Sequence, residues 1–513
     1  MTDLNVRNAR GHHPPGETVE ILVTSVDPGT VTATISRLGV SVATLTENSD
    51  GGTIRLRWHP PAEAPVGYGV DVTLSDGIET IATGRTAFDV LDHWTQYPRY
   101  GFLSDFAPDK DTTMATEALV SYQVNAVQFY DWQYRHDQLL APTEIFLDPL
   151  GRELSLSSIR DSIRELTDVG IASMAYMAIY AASAGFWSEH PDWAMYDPAT
   201  DQPIEFGENF LGLMDPTRRR PWSTHLQDQC RRALEFGFDG IHVDQYGEPR
   251  EANTITGEPI DLPGAFAHFV DDLKSLDVPV TMNAVKNWPI KSLAPSHQDF
   301  TYIELWPDTP TYREIAEIVL NARALAPKAV VIAMYLPAHH PANISTLDAL
   351  LTAAGAWRIE IGENGRLLTD PYFPEHQAVP PELAGHIRRH AEFAVQYLEL
   401  CGPPAHLDPG IEVDAPEGVT AITRSSAGLT AISLVNLPDP DTRWDEAHPA
   451  PPPRTNLTIR VEARIDRAWF ARPEDPTARS LKMVADQSHT TFEIPRLDYF
   501  GVVWFERRED VNE

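Results

Sequence analysis

Cysteine, lysine and long apolar runs are all scarce in this chain. Its 513 residues hold two cysteines, Cys230 and Cys401. That is too few for a disulfide framework or a thiolate metal site, and the two read as separate buried thiols. No run of about 18 apolar residues occurs, so no membrane-spanning helix is expected. The opening segment MTDLNVRNARGHHPPGETVE has no apolar signal-peptide core, so the chain as written reads as cytoplasmic, and as secreted only if a leader was removed. Basic residues are outnumbered, 40 Lys and Arg (six of them Lys) against 74 Asp and Glu. A formal charge of −34 repels phosphate backbones and anionic lipid, so neither nucleic acid nor membrane is an expected partner. What is present is ample core material, 42% hydrophobic and 9% aromatic residues, which places the chain among globular proteins. At roughly 100 to 200 residues per domain the length implies about three domains, or one large barrel with attachments. The oligomeric state is left open.

Between residues 16 and 88 short β-branched runs alternate with turn signals (ETVEILVTSV, TVTATISRLG, GTIRLRWHPP, GYGVDVTLSDG, ETIATGRTAFDV), the pattern of a small β-sandwich. Near Tyr100 the rhythm changes. YGFLSDF, NAVQFYDW, IASMAYMAIYA, FDGIHVDQ, VPVTMNAV, FTYIELW, AVVIAMYL and AWRIEIG are apolar runs separated by helical stretches, and they count as eight strands with eight helical partners. Polar and acidic residues end nearly every run, which selects a closed (β/α)8 TIM barrel over an open doubly wound sheet. Beyond Pro403 strands return (GVTAITRS, GLTAISLVN, TNLTIRVEA, IDRAWFARP, TTFEIP, YFGVVWFER) around the proline-rich LPDPDTRWDEAHPAPPPRT, which reads as a surface excursion. The fold class is therefore α/β, with an N-terminal immunoglobulin-like sandwich (1–92), the barrel (93–402) and a C-terminal β-sandwich (403–513).

In such a barrel, chemistry sits at the C-terminal strand ends. Asp244 ends the fourth strand and Glu304 lies near the end of the sixth, so they flank the fifth and face a central pocket. Paired carboxylates there, one protonated and one ionised, are the minimal apparatus of glycoside hydrolysis. Each taken alone reads equally as a salt-bridged or capping carboxylate. Asp105, Asp131 and Glu360 stand where they can hydrogen-bond sugar hydroxyls or merely order a loop, whereas Asp239 precedes its strand and reads as a turn cap. Aromatics gather in the same loops: Tyr130, Trp132, Tyr134, Tyr176, Tyr180, Trp187, Trp193, Trp288 and Trp306. Core packing accounts for any one of them. Their company with Arg135, His136, His242, Gln245 and Asn283 tilts the set towards an oligosaccharide cleft. His12, His13, His339 and His340 are adjacent pairs without metal-ligand spacing, and no phosphate-cradling loop, dinucleotide fingerprint or nucleophile elbow occurs. Neither metal nor cofactor is expected.

The segments YPRYGFLSDF, VQFYDWQYRHD, GFDGIHVDQYG, YIELW and RIEIGENGRLLTDPYFP together resemble glycoside hydrolase family 66, the dextranases and cycloisomaltooligosaccharide glucanotransferases, over about residues 94–400. The resemblance implies a barrel between an immunoglobulin-like and a C-terminal sandwich domain, with Asp244 as nucleophile and Glu304 as general acid/base of a retaining reaction on α-1,6-glucan. Two features depart from the family. The 329–400 stretch has no room for the carbohydrate-binding module that the glucanotransferases insert there, which favours hydrolysis, and AYMAIYAA stands where members tend to have Tyr-Asn. The expectation is a dextranase-like hydrolase of oligo- or polysaccharide. A transglycosylase, a hydrolase of a related α-glucan linkage and a catalytically silent carbohydrate-binding protein are the alternatives.

Overall fold

The apolar runs become strands because each is short, bounded by turn residues, and two-faced. A computed structural model describes residues 2–486 and 488–506. The barrel strands are β1 (Tyr100–Leu103), β2 (Ala126–Phe129), β3 (Ala172–Ala178), β4 (Gly240–Asp244), β5 (Val280–Val285), β6 (Thr301–Glu304), β7 (Val330–Ala333) and β8 (Ala356–Ile359). They pair in parallel in sequence order, and Gly362 just beyond β8 pairs with Phe102 of β1, which closes the ring. Alternation sorts the side chains. Val127, Ile241, Val243, Ile303 and Ile332 join the core shared with the helices, while Tyr100, Phe102, Met174, Tyr302 and Val331 form a separate cluster that fills the barrel. A (β/α)8 barrel is thus the central architecture.

The outer layer consists of α1 (Thr113–Ser121), α2 (Leu156–Asp168), α3 (Pro221–Phe236), α4 (Leu262–Leu273), α5 (Tyr312–Leu325), α6 (Pro341–Ala354) and α7 (Pro381–Gln396). Start signals are local: the Ser155 and Asp261 side chains cap α2 and α4, Thr311 and Glu314 form a capping box on α5, and proline opens α3, α6 and α7. The expected eighth helical partner shrinks to the single turn Ile290–Leu293 between β5 and β6. The NWPIKSLAPSHQ stretch has too little apolar periodicity and too many prolines for more.

Before the barrel, Thr2–Asp3, Gly29–Arg37, Val40–Ser49, Val66–Ser75 and Thr80–Val90 make one sheet and Asn5–Asn8, Val19–Ser25 and Gly52–Trp58 another, packed over a common core. Val40–Ser49 was not anticipated, because its mostly exposed side chains carry no core-facing alternation. After the barrel, a six-stranded and a four-stranded sheet enclose the third core. The proline-rich segment between Asn436 and Arg454 is more than a surface excursion: Trp444 within it is buried against the barrel and its indole donates to the Thr309 carbonyl at 2.7 Å. Cys230 and Cys401 are both free and buried, as expected. Among the paired histidines, His13 is packed edge-on against Phe88 in the N-terminal domain.

Candidate active site

At the C-terminal face of the barrel lies a cleft of about 350 Å³, lined by residues from successive strand ends. Asp244, the last residue of β4, keeps an opening onto it, whereas Glu304, the last of β6, is 7% exposed. Asn283, on β5 between them, joins the two. Its Nδ2 donates at 2.8 Å to Asp244 Oδ1 and at 2.8 Å to Glu304 Oε2. The two inner oxygens, sharing one donor at those lengths, stand no more than about 5.6 Å apart. The outer oxygens have their own donors: Tyr176 OH reaches Asp244 Oδ2 at 2.8 Å and Tyr335 OH reaches Glu304 Oε1 at 2.7 Å.

The charges follow from burial. Loss of water pushes the Asp244 carboxyl up to about 7, and the neighbouring Glu304 charge adds to the shift, while the Tyr176, Asn283 and Gln245 donors oppose it. Burial likewise raises Glu304, against the pull of Tyr335, Asn283 and Trp306. Two carboxyls this close titrate as a pair, and the proton left after the first ionisation is held to higher pH than an isolated carboxyl would hold it. Burial also raises the Tyr176 and Tyr335 phenols well above their ordinary value, so both remain donors. Beneath the pair, His242 is sealed among Tyr100, Tyr176 and Tyr302, and burial lowers it to about 3. It is a neutral imidazole bonded to Tyr100 OH at 3.1 Å.

The model of glycosyl hydrolase family 66 matches residues 10–504. The chain belongs to this family. A cycloisomaltooligosaccharide glucanotransferase of Niallia circulans is 30% identical over 369 residues, 64% of this chain and 37% of that relative. A dextranase of Streptococcus salivarius is 20% identical over 521 residues, 81% of this chain and 63% of that relative. The chain therefore aligns with less than two thirds of the length of either. Among solved structures, a Paenibacillus sp. cycloisomaltooligosaccharide glucanotransferase complexed with cycloisomaltoheptaose superposes with a TM-score of 0.89 at 22% identity, over 98% of this chain and 100% of that one. The barrel is shared more widely: a maltogenic α-amylase of Thermotoga neapolitana gives 0.53 at 12% identity over 80% of this chain and 99% of that one.

Within this family-66 chain, the cleft gathers nine of the residues selected from sequence: Tyr130, Asp131, His136, Tyr176, Asp244, Gln245, Asn283, Glu304 and Trp306. Tyr130 stacks on Phe373 with centroids 4.3 Å apart. Asp131 takes a left-handed backbone (φ 50°), and burial, with Asp148 near it, lifts its carboxyl to about 7. Gln245 lines the wall, but both ends of its amide serve the backbone at Asn283, Trp288 and Gly247. Asn283 Oδ1, Gln128 Oε1 and His136 Nδ1 are buried and, among the described residues, have no protein partner.

Seven other expected contacts lie elsewhere. Trp132 is fully buried against Phe238, and its indole donates to the Tyr176 carbonyl at 3.0 Å. Tyr180 is enclosed, donating to Glu248 O and accepting from Tyr246 N. Trp187 lies flat on Gly212, where a Cβ would come within 2.0 Å of the ring. Arg135 folds over Tyr134 and bonds the Leu147 carbonyl. Asp105 is exposed and caps the N–H of Ala107. Glu360 is consumed by an ion pair with Arg358 beside a separate 40 Å³ void. His242, as described, is floor beneath the lining. In each case the side chain is taken up by packing or by partners outside the cleft. Asp239, read from sequence as a turn cap, instead accepts from the N–H and hydroxyl of Ser173 on β3 and braces the strand starts outside the cleft. Tyr335, Tyr246, Phe206, Phe210, Tyr372 and Phe373 complete the cleft without having been singled out. Tyr335 was within reach of sequence reading, two residues past Ala333 on the inward alternation of AVVIAMYL. The Phe206–Phe210 rim comes from an irregular excursion with no periodic signal.

Proposed function

We propose that this chain is a retaining glycoside hydrolase of α-1,6-linked glucan, dextran or its oligosaccharides, in which Asp244 is the nucleophile and Glu304 the general acid/base. The observation that carries the reading is the Asn283 amide held between the two carboxyls, which keeps their inner oxygens within about 5.6 Å of each other and so supports the close pairing a retaining mechanism uses. Asp244 attacks the anomeric carbon as Glu304 passes its proton to the departing glycosidic oxygen, and a β-glycosyl-enzyme forms. Glu304, now ionised, takes a proton from water, whose oxygen displaces Asp244 and leaves an α-configured product. Tyr176 and Asn283 hold the nucleophile oriented, and Tyr335 steadies Glu304 when charged. Among the described residues Gln128 Oε1, His136 Nδ1 and Asn283 Oδ1 have no protein partner and are offered to sugar hydroxyls, and the rings of Tyr130, Tyr246, Phe206 and Tyr372 offer faces to sugar C–H groups. Between β7 and α7 the chain holds α6, β8 and a loop of residues 360–380 with no inserted module, which supports hydrolysis over cyclisation. Resemblance to glucanotransferases, and a largely apolar cleft wall that suits a sugar acceptor as well as water, support transglycosylation as the second reading.

Product analysis on dextran, isomaltooligosaccharides, pullulan and nigeran tests the substrate class, and proton NMR of the earliest product tests the mechanism. The α-anomer is expected first; early β-anomer would refute Asp244 as nucleophile. Asp244→Asn and Glu304→Gln should each lower turnover by about two to four orders of magnitude with the fold intact by circular dichroism. A near-normal rate in either variant rejects the assignment.

A further inference from the structure

Glu304 is followed by a short connection, residues 305–311, which carries Trp306 and leads into α5. The backbone carbonyls of this connection are taken up by another domain. Arg443 Nη2 donates to Pro307 O at 3.3 Å, the Trp444 indole to Thr309 O at 2.7 Å and the Trp444 backbone N–H to Pro310 O at 3.1 Å. The traffic also runs the other way. Tyr312 and Arg313, whose N–H groups would be orphan donors at the start of α5, donate to Thr442 O at 3.3 Å and Pro440 O at 2.9 Å. The segment that supplies these partners, residues 438–453, is itself pinned: Asn343 on α6 donates to the carbonyls of Trp444 and Glu446, His448 meets Tyr312 OH at 2.7 Å, and Arg313 pairs with Asp441 at 2.7 Å. Trp444 is the key of the joint, with a buried ring and both its N–H donors spent on the 305–311 carbonyls. On the barrel side, Lys286 sits over the Trp306 ring at 5.4 Å and pairs with Asp308 at 3.1 Å.

We propose that the 438–453 segment of the C-terminal domain is a strap that positions the general acid: Trp444 and Arg443 hold the 305–311 connection so that Trp306 and the Glu304 carboxyl keep their place against Asn283 and Tyr335. Trp444 is a positioning residue, acting on the reaction only through Glu304. The proposal rests on the acid/base role assigned above, and it accounts for a proline-rich segment that buries a tryptophan far from its own domain's core. Its chemistry is specific. A slackened acid should slow departure of a sugar alkoxide, which needs protonation, far more than departure of a nitrophenolate, which does not.

The test uses the full chain with Trp444→Ala, Trp444→Phe and Arg443→Ala, and reads two quantities. The first is hydrogen exchange of 305–311 relative to β3. The second is kcat and KM on dextran beside a nitrophenyl α-glycoside of the same sugar. For Trp444→Ala the 305–311 amides should exchange faster while β3 is unchanged. The dextran kcat should fall about tenfold, with KM within about twofold and the nitrophenyl rate within about threefold. Trp444→Phe, which keeps the bulk but loses the donor to Thr309, should fall between. If Trp444→Ala does not fold, Arg443→Ala should show the same pattern at smaller amplitude. Unchanged exchange overturns the strap, and equal losses on both substrates overturn its action through the acid. A wild-type enzyme inert towards dextran would instead overturn the proposed function, and the exchange data would still decide whether the strap holds the connection.

Discussion

One amide nitrogen on Asn283 organises the candidate site. It serves two carboxylates at once, so neither can move without disturbing the other, and Tyr176 and Tyr335 fix the outer oxygens. The pH dependence follows from the same contacts. In the proposed mechanism activity needs one proton on the pair, and the second ionisation is held up near 7 by burial and by the charge already present, so kcat/KM should decline as pH rises through about 7. The Tyr335 hydroxyl stabilises ionised Glu304 and so lowers its affinity for a proton. In Tyr335→Phe that donor is lost, the acid becomes weaker, and the alkaline limb should move up by about one pH unit while peak kcat falls about tenfold. A pH–rate profile measures both, and an alkaline limb that stays put or moves down would remove Tyr335 from the acid's environment. At this scale Asp244 and Glu304 were legible because strand ends in a barrel face one pocket. Trp132 and Tyr180 were misplaced because a sequence does not tell which side of a strand-end turn an aromatic takes.

Among the elements, the antiparallel rim of Ala181–Ser183, Leu211–Leu213 and Glu205–Phe206 shows how packing overrules composition. Trp187 looked like a sugar platform, but Gly212 offers its ring a flat strand surface and the tryptophan settles there. The same strand presents Leu211 to the cleft, so the packing holds a wall of the site. Gly212→Ala puts a methyl group inside the ring's position and should cost about 1–3 kcal/mol. It should also shift the tryptophan emission and raise KM for long oligosaccharides more than for short ones. Unchanged melting and emission would show that the ring does not depend on that glycine. The barrel strands themselves were readable from sequence because they are continuous apolar runs, whereas the rim has no period to read.

The molecule as a whole is three bodies, and two of the joints between them are the most explicit. The strap is one. The other binds the N-terminal sandwich to the end of the barrel: Glu399 accepts from Arg37 Nε at 2.9 Å and from the Gly67 N–H at 3.1 Å, and Arg85 donates to Gln396 at 2.6 Å. Gly67 is needed for the approach, since a Cβ there would sit 2.1 Å from the Val395 carbonyl oxygen. Gly67→Val should therefore loosen the sandwich from α7 at a cost of about 1–3 kcal/mol. In calorimetry the N-terminal domain should melt separately and earlier, ahead of a barrel transition that is nearly unmoved. A single transition at the wild-type temperature would mean that the joint contributes little to cohesion.

Residue pattern alone determined the order of the three bodies, the closed barrel and the two carboxylates. These rest on local period and on the rule that a barrel's strand ends converge, both of which are written along the chain. It could not say that Asn283 bridges the pair, that Tyr335 completes it, or that Trp444 reaches back across about 135 positions to the acid's own connection. Those are contacts between residues distant in sequence, and hydrophobic periodicity is blind to them. Only closure of the ring and docking of the last domain bring the partners within hydrogen-bond range. Burial then supplies what no composition carries, the low-dielectric setting that raises both carboxyls and leaves one proton between them.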